Sequence, residues 1–217
     1  MRKTAAVLFF SLVVAMASQP ASADTLFTTL IPSGSYNPNG AWDVTGSEYE
    51  DIVIGNPFTL GSGATVSDAV LALTNISGPN TPLNLYIESD NSGTPDSVLA
   101  SLTQAGTILS YDSGGGLVTF TCNGIACDLA AGNYWLVAVE PDSATFQGWY
   151  FTYNPATTNI AQGTSGIPTG LTVTDDLPES AFEIDGSPDP TPEPSSFLLL
   201  GSGLAGLAGL IKRKLMA

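Results

Sequence analysis

Two cysteines are the most nucleophilic side chains of this 217-residue sequence, and they lie close together. Cys122 and Cys127 enclose Asn123-Gly124, a dipeptide typical of tight hairpin turns. In an oxidising compartment, a pair at this spacing predicts a disulfide that closes a turn. The alternative is a redox or metal-binding pair, which would need a histidine or a second cysteine pair to complete the site. The sequence has neither, so we expect the disulfide.

Carboxylates offer a second kind of chemistry, the binding of calcium. Glu88, Asp90 and Asp96 lie in a segment rich in side-chain oxygens, and oxygen ligands from a tight turn are what Ca²⁺ requires. The segment lacks the ligand series and the closing glutamate of an EF-hand. A solvated hairpin loop is therefore the favoured interpretation, with Ca²⁺ as the only candidate cofactor. The same two interpretations apply to a second acidic cluster, Glu48, Glu50 and Asp51.

Paired carboxylates are also the catalytic groups of glycoside hydrolases, which need only Asp and Glu. Twenty acidic residues make accidental pairs inevitable, however. No feature of the sequence marks one of them as an acid with a raised pKa. We expect no enzymatic activity and keep a secreted glycoside hydrolase as an alternative.

Aromatic side chains form a candidate surface for sugar rings. The aromatic residues in question are Trp42, Tyr49, Trp149, Tyr150 and Tyr153. A strand through the last three would send Trp149 and Tyr153 to one face and Tyr150 to the other. Because one of those faces must belong to the core, packing explains most of these aromatic residues. A glycan-binding patch at Trp149, Tyr150 and Tyr153 is the competing hypothesis.

The charge distribution excludes several classes of function. The formal net charge is -15, and all five cationic side chains lie at the ends of the chain: Arg2, Lys3, Lys212, Arg213 and Lys214. Residues 4–211 carry all twenty carboxylates and no Lys, Arg or His. Such a surface cannot neutralise phosphates, so we expect no nucleic-acid partner. The lack of histidine also excludes His-dependent catalysis and His-ligated zinc.

Short β-strands are the elements that must position these residues. Apolar residues alternate with polar ones at Leu83, Leu85 and Ile87, and the same alternation occurs at Val118, Phe120 and Cys122 and at Phe182 and Ile184. Further β-rich runs are residues 25–30, 48–60, 64–75, 134–140 and 145–153, and turn signals such as Asn37-Pro38-Asn39-Gly40 separate them. About eight to ten short strands predict an all-β, antiparallel, jelly-roll-like β-sandwich over residues 24–186. We expect residues 156–170 to form a long loop.

Residues 1–23 have the pattern of a secretory signal peptide. Arg2 and Lys3 precede an apolar run, and Ala21-Ser22-Ala23 supplies the small residues of a cleavage site. We expect signal peptidase to cut after Ala23. The alternative is an uncut N-terminal membrane anchor, but the apolar run is short for a membrane span.

The C-terminal end contains a second apolar segment. Residues 187–194 form a Pro-rich linker, and proline at every second position makes it stiff and solvated. Residues 195–217 are expected to form a single transmembrane helix with a basic tail, because the uncharged part reaches the lower limit of about 17 residues for a span. Lys212, Arg213 and Lys214 follow and indicate a cytoplasmic C-terminus.

The order of features in this end resembles a known sorting signal. Pro192-Glu193-Pro194, a short Gly-rich apolar helix and the basic residues Lys212, Arg213 and Lys214 are similar to the PEP-CTERM protein-sorting signal of Gram-negative bacteria. The resemblance implies recognition by an exosortase-like peptidase and cleavage near the Pro-Glu-Pro motif. It also implies transient anchoring in the inner membrane by the C-terminal helix, followed by delivery to the cell surface or an extracellular polysaccharide matrix.

The central region resembles a second grouping, the exported β-sandwich domains called choice-of-anchor. The resemblance rests on Thr25-Leu26-Phe27, on residues 85–95 and on residues 129–136. It implies a fold and an export route, and no activity. Together, these features predict an exported, non-enzymatic cell-surface or extracellular-matrix protein. A carbohydrate-binding module that acts on exopolysaccharide is the main alternative.

Overall fold

The computed structural model describes residues 23–32, 34–153, 156–164, 166 and 168–189. The predicted signal peptide, except Ala23, lies outside the described residues. So do Pro192-Glu193-Pro194, the predicted transmembrane helix and the basic residues Lys212, Arg213 and Lys214. Among the described residues, no helix has the length and apolar character needed to cross a bilayer.

The described residues form an all-β structure. Its thirteen strands are β1 (Asp24–Thr28), β2 (Tyr36–Thr45), β3 (Val53–Leu60), β4 (Ala64–Ser77), β5 (Asn84–Asp90), β6 (Pro95–Ala105), β7 (Gly116–Cys122), β8 (Asp128–Leu129), β9 (Gly132–Val139), β10 (Phe146–Thr152), β11 (Thr157–Gly163), β12 (Thr172–Pro178) and β13 (Phe182–Pro188). Single 3₁₀ turns occur at Ser47–Tyr49, Tyr111–Ser113 and Ile125–Cys127.

All pairs of strands are antiparallel, and hydrogen bonding runs through one sheet in the order β1-β13-β4-β7-β6-β5-β9-β3-β11-β12. The long strand β4 is a branch point, because its C-terminal part also pairs with β10, which in turn pairs with β2. The prediction of an antiparallel all-β domain is confirmed. The jelly-roll connectivity stays a prediction.

The sheet curls, so that strands far apart along this path share one core. Phe27 of β1 stacks on Phe182 of β13 with ring centroids 5.4 Å apart, and it also lies 6.1 Å from Phe58 of β3. Phe120 of β7 and Leu136 of β9 are fully buried in the same apolar cluster. Burial of these large side chains is the main stabilising term of the fold.

A second apolar cluster covers the opposite face of β9, β3 and β11. Trp135 and Val137 of β9 pack there with Val53 of β3, Ala161 of β11 and Leu171, which precedes β12. Strand β9 is therefore buried on both faces, as its unbroken run of buried residues from Tyr134 to Val139 shows.

The prediction of a long loop at residues 156–170 is wrong for the first half of this segment. Residues 157–163 form β11, which pairs with β3 on one side and with β12 on the other. Ile160 and Ala161 are the only fully buried residues of this strand, and they are consecutive. The strand therefore lacks the alternation of apolar and polar residues by which a strand is recognised in a sequence. Pairing on both sides supplies the stabilisation that local sequence preference lacks.

The turn predicted at Asn37-Pro38-Asn39-Gly40 lies inside a strand. The pairing of β10 with β2 shifts register between Ala41 and Asn37, so residues 38–40 are extra residues on β2. The backbone N–H of Asn39 donates to Oδ1 of Asn37 at 3.0 Å, which is local turn chemistry. The signal does not separate two strands as predicted, because β2 continues beyond it and residues 38–40 form a bulge.

The ordered region reaches the segment predicted as a linker. Strand β13 ends at Pro188, and the backbone N–H of Asp189 donates to the carbonyl of Gly63 at 2.7 Å. At the other end, β1 begins at Asp24, directly after the predicted signal-peptide cleavage site.

Candidate functional site

The two cysteines form the predicted disulfide. Cys122 at the end of β7 is bonded to Cys127 in the last 3₁₀ turn, and their Cα atoms are 6.0 Å apart. Both side chains are buried, whereas Ile125 at the tip of the closed loop is 91% exposed. The bond fixes this tip against the edge of the core, and it leaves no free thiol for redox chemistry.

The three carboxylates predicted as calcium ligands lie around the β5–β6 hairpin but do not form a cluster of ligands. Oδ1 of Asp90 accepts a hydrogen bond from the indole Nε1 of Trp135 at 2.7 Å, and Oδ2 accepts one from the backbone N–H of Gly93 at 3.1 Å. Asp96 is exposed, and Glu88 is buried. Across the described part of the chain, no group of three His, Cys, Asp or Glu side chains is placed to hold a metal ion. Calcium binding therefore stays a prediction that no set of ligands among the described residues supports.

Glu88 is the unusual member of this set. Its side chain is 0% exposed, and its cross-strand neighbour on β9 is Trp135. Neither carboxylate oxygen has a hydrogen-bond partner among the described residues. Burial raises the pKa of Glu88 from 4.5 to about 7, and the negative charge of Asp96 adds to the rise. Glu88 is therefore partly protonated at neutral pH.

Glu140, which follows β9, is a second buried acid. It is 3% exposed, and its Oε1 accepts hydrogen bonds from Thr81 Oγ1 at 2.9 Å and from the backbone N–H of Asp142 at 3.0 Å. Burial raises its pKa to about 7 despite these two hydrogen bonds, and the charge of Asp142 raises it further. Its Oε2 has no partner among the described residues.

Sequence reasoning missed both buried acids. Glu88 alternates with the core residue Ile87 and should have faced solvent, but the second apolar cluster covers that face. The available signal was the lack of cationic side chains in residues 4–211. In such a chain, any buried carboxylate must be neutralised by a proton or hydrogen-bonded, because no salt bridge can compensate its charge.

The alternative of a glycan patch at Trp149, Tyr150 and Tyr153 is wrong, and packing, the favoured interpretation, is correct for Trp149 and Tyr150. Trp149 is fully buried, and its indole Nε1 donates to the carbonyl of Ala181 at 3.1 Å. Tyr150 is also buried and stacks on Tyr36 with ring centroids 5.1 Å apart. Both faces of β10 are covered at this point, so only Tyr153, at 59% exposure, faces solvent. A single exposed tyrosine is no stacking platform.

The other two aromatic candidates, Trp42 and Tyr49, line a cavity. Two adjoining clefts of about 320 Å³ and 370 Å³ share Asp43, Glu50 and Ile52, and we call them together the acidic cleft. Its first part also contains Ala41, Trp42, Ile54, Gln162, Gly163 and Thr164, and its second part contains Thr45, Glu48, Tyr49 and Phe146. Glu48 and Glu50 of the second acidic cluster thus line an aromatic-lined depression, whereas Asp51 does not line it.

Hydrogen bonds fix the turn that supplies one wall of the acidic cleft. Thr45 Oγ1 donates to the carbonyl of Tyr49 at 2.7 Å and accepts from the backbone N–H of Ile52 at 3.0 Å. Glu50 and Asp51 have φ values of 80° and 58°, which non-glycine residues rarely adopt. The turn between β2 and β3 is therefore held in a conformation that local preference alone would not select.

The acidic cleft concentrates negative charge. Partial burial raises the pKa of Asp43, and the charge of Glu50 raises it further. Glu48, the third acid, accepts a hydrogen bond at Oε1 from Ser143 Oγ at 3.2 Å. The geometry offers carboxylate acceptors beside aromatic rings, and no described residue supplies a cation.

Comparison with known families identifies the C-terminal segment. Residues 190–214 match the family model of the PEP-CTERM protein-sorting motif. This match includes Pro192-Glu193-Pro194 and the basic residues Lys212, Arg213 and Lys214, so the predicted sorting signal is confirmed. The motif implies export, association with the membrane and processing by an exosortase.

The match lies outside the β-domain and assigns it no role. No curated protein and no solved structure matched the chain. The resemblance to choice-of-anchor domains therefore stays a prediction.

Proposed function

We propose that this chain is a non-enzymatic protein of the cell surface or extracellular matrix, which an exosortase-like peptidase releases from its membrane anchor at Pro192-Glu193-Pro194. The observation that carries the proposal is the sorting motif at residues 190–214 directly after an ordered β-domain. The domain is the part that is displayed, and the C-terminal segment is the part that is removed.

The junction between the two parts suits proteolysis. The last described hydrogen bond of the domain is made by Asp189, a few residues before the motif. The alternate prolines of the linker favour an extended, solvated backbone, which is the conformation that peptidases bind. The same reasoning supports removal of the signal peptide, because the described pairing of β1 begins at Asp24, directly after the predicted cleavage site.

The side-chain inventory supports the absence of catalysis. Residues 4–211 offer no His, Lys or Arg, and both cysteines are in the disulfide. The two acids whose pKa burial raises to about 7, Glu88 and Glu140, are inaccessible to a substrate. Steady release of reducing ends from polysaccharides by the purified protein, abolished by Asp43→Asn, would overturn this part of the proposal.

Replacing Pro192, Glu193 and Pro194 with alanine tests the sorting step. The full-length protein should then accumulate in the inner membrane, whereas the wild type appears outside the cell at a lower mass. Pro190→Ala is the matched control, since it removes a linker proline but leaves Pro192-Glu193-Pro194 intact, and it should be processed normally. Normal release of the triple variant would refute sorting at this motif.

A further inference from the structure

The acidic cleft is an open depression that is large enough to hold a small ligand. Each of its two parts, about 320 Å³ and 370 Å³, falls within the range of roughly 300–1,000 Å³ for such sites. Because the parts share Asp43, Glu50 and Ile52, they form one trough along the strand β2. Two adjoining parts of this size leave room for a short chain of linked units.

Aromatic side chains stand in both parts of the trough. Trp42 is half-buried, and its orientation is fixed because Nε1 donates to the carbonyl of Pro178 at 2.8 Å and its ring meets Phe151 edge-on at 5.5 Å. Tyr49 is 37% exposed and packs against Phe146 at 5.6 Å. Rigid aromatic rings with an exposed part bind the apolar faces of pyranose rings, and they also attract cations.

Carboxylates lie between these aromatic residues. Asp43 and Glu50 line both parts of the trough, and Glu48 lines the second. The described residues contain no cationic side chain that could pair with them. A ligand that brings its own positive charge would relieve their mutual repulsion, whereas a polyanionic saccharide would be repelled.

We propose that the acidic cleft binds a saccharide that carries protonated amino groups, with its pyranose rings against Trp42 and Tyr49 and an ammonium group between Asp43 and Glu50. The hydrogen bonds of Thr45 with Tyr49 and Ile52 hold the turn that carries Tyr49 and Glu50 before the ligand arrives, which reduces the ordering cost of binding. The site is independent of the sorting motif, so its failure and the failure of the proposed sorting are distinguishable.

Isothermal titration calorimetry on the full-length chain in detergent tests this assignment, with a β-1,4-linked glucosamine tetramer as the probe at pH 6. We expect binding at least about tenfold tighter than that of the N-acetylated tetramer or a neutral glucose tetramer. A uronic-acid tetramer should not bind. Affinity for the glucosamine tetramer should fall as NaCl rises from about 20 to 300 mM, because salt screens the charge pairing.

Variants separate the contribution of the carboxylates to binding from that of the aromatic rings. Asp43→Asn and Glu50→Gln should each weaken binding of the glucosamine tetramer by about fivefold or more, and they should abolish its advantage over the neutral tetramer. Tyr49→Ala removes a stacking surface at an exposed position, so it should weaken both ligands without unfolding the protein. Tyr153→Ala and Asp112→Asn, which alter exposed residues outside the cleft, are the matched controls.

Several outcomes would overturn the assignment. Absence of binding would refute the proposed site. Equal affinity for the charged and neutral tetramers would show that the ammonium group does not contribute to binding. If spermidine bound as tightly as the glucosamine tetramer, the site would recognise positive charge and not a saccharide. Unchanged affinity in Asp43→Asn and Glu50→Gln would place the ligand elsewhere. Binding by the variant with alanine at Pro192, Glu193 and Pro194 should equal that of the wild type.

Discussion

Replacing Glu88 with glutamine should change how the stability of the domain depends on pH. Glu88 is fully buried without a hydrogen-bond partner among the described residues, and its folded-state pKa is about 7 against an ordinary 4.5. Each unit of difference between the folded and unfolded pKa corresponds to about 1.4 kcal/mol. Ionisation of Glu88 therefore costs the folded state about 3 kcal/mol at high pH.

The direction follows from proton binding. Below pH 4.5, Glu88 is protonated in both the folded and the unfolded state and contributes no pH dependence. Between pH 4.5 and about 7, the folded state keeps a proton that the unfolded state releases, so the free energy of unfolding falls as pH rises. Above pH 7, both states are ionised and the loss is complete.

Glu88→Gln keeps the shape of the side chain and removes the titration. The difference in unfolding free energy between the variant and the wild type should therefore shift in favour of the variant by about 2 to 3 kcal/mol between pH 5 and pH 8. At pH 8, this corresponds to a Tm difference of roughly 5–10 °C relative to the offset at pH 5. Urea unfolding at pH 5, 6, 7 and 8, followed by tryptophan fluorescence, measures it.

The matched control is Asp112→Asn, which removes one negative charge at an exposed position. Its unfolding free energy should run parallel to that of the wild type across the same pH range. Parallel profiles for Glu88→Gln and the wild type would refute the reasoning, because they would show that Glu88 titrates alike in the folded and unfolded states.

Four further outcomes test the remaining features. Trp149→Ala should destabilise the domain by about 3–5 kcal/mol in urea unfolding, whereas Tyr153→Ala should stay within about 0.5 kcal/mol; equal effects would contradict the burial of Trp149. Replacing both Cys122 and Cys127 with serine should lower the free energy of unfolding by about 2 kcal/mol, because the closed loop is short. Reduction of the wild type should lower Tm as much as this replacement does. A much larger loss would mean that the disulfide stabilises more than the tip of its loop. Raising NaCl at pH 8 should raise Tm, since counter-ions screen repulsion among the carboxylates, and an unchanged Tm would contradict net repulsion. Ca²⁺ should raise Tm no more than Mg²⁺ at equal ionic strength, because both oxygens of Asp90 already accept hydrogen bonds; a shift specific to Ca²⁺ would restore the calcium site.

Strands with a clear alternation were predictable from the sequence. Val118 and Phe120 of β7 and Phe182 and Ile184 of β13 are buried as their pattern indicates, since each strand presents one face to the main core. The same signal fails for strands covered on both faces. Trp149 and Tyr150 alternate like an inward and an outward residue, yet the second is covered by a separate apolar cluster.

Strands held by their neighbours were not predictable. Strand β11 has few apolar residues and exists because β3 and β12 pair with its two edges. The bulge of β2 depends on its register with β10 in the same way. Such pairings are long-range, and no local window of the sequence contains the residues that decide them.

The acidic cleft shows the same limit at the level of the site. Tyr49 and Glu50 follow β2, whereas Gln162 and Thr164 come from β11 and the residue after it, more than a hundred positions later. The sequence placed Trp42 and Tyr49 among five aromatic candidates without separating them from Trp149, which has the same chemistry and is buried. Only the curled sheet distinguishes an aromatic ring that faces a trough from one that fills the core.

The lack of cationic side chains in residues 4–211 connects the buried acids with the cleft. A carboxylate removed from water must be neutralised or hydrogen-bonded, and ion pairing with Lys, Arg or His is unavailable to this domain. Glu88 relies on a proton, and Glu140 combines a proton with donors from Thr81 and Asp142. Asp43 and Glu50 stay open to solvent, where a counter-charge can come from outside. The two buried acids therefore make the domain most stable in mild acid, whereas the cleft depends on ionised carboxylates. The ligand must also keep its amino groups protonated, so binding should be strongest in mild acid and should weaken as pH rises through neutrality, where the ammonium groups lose their protons.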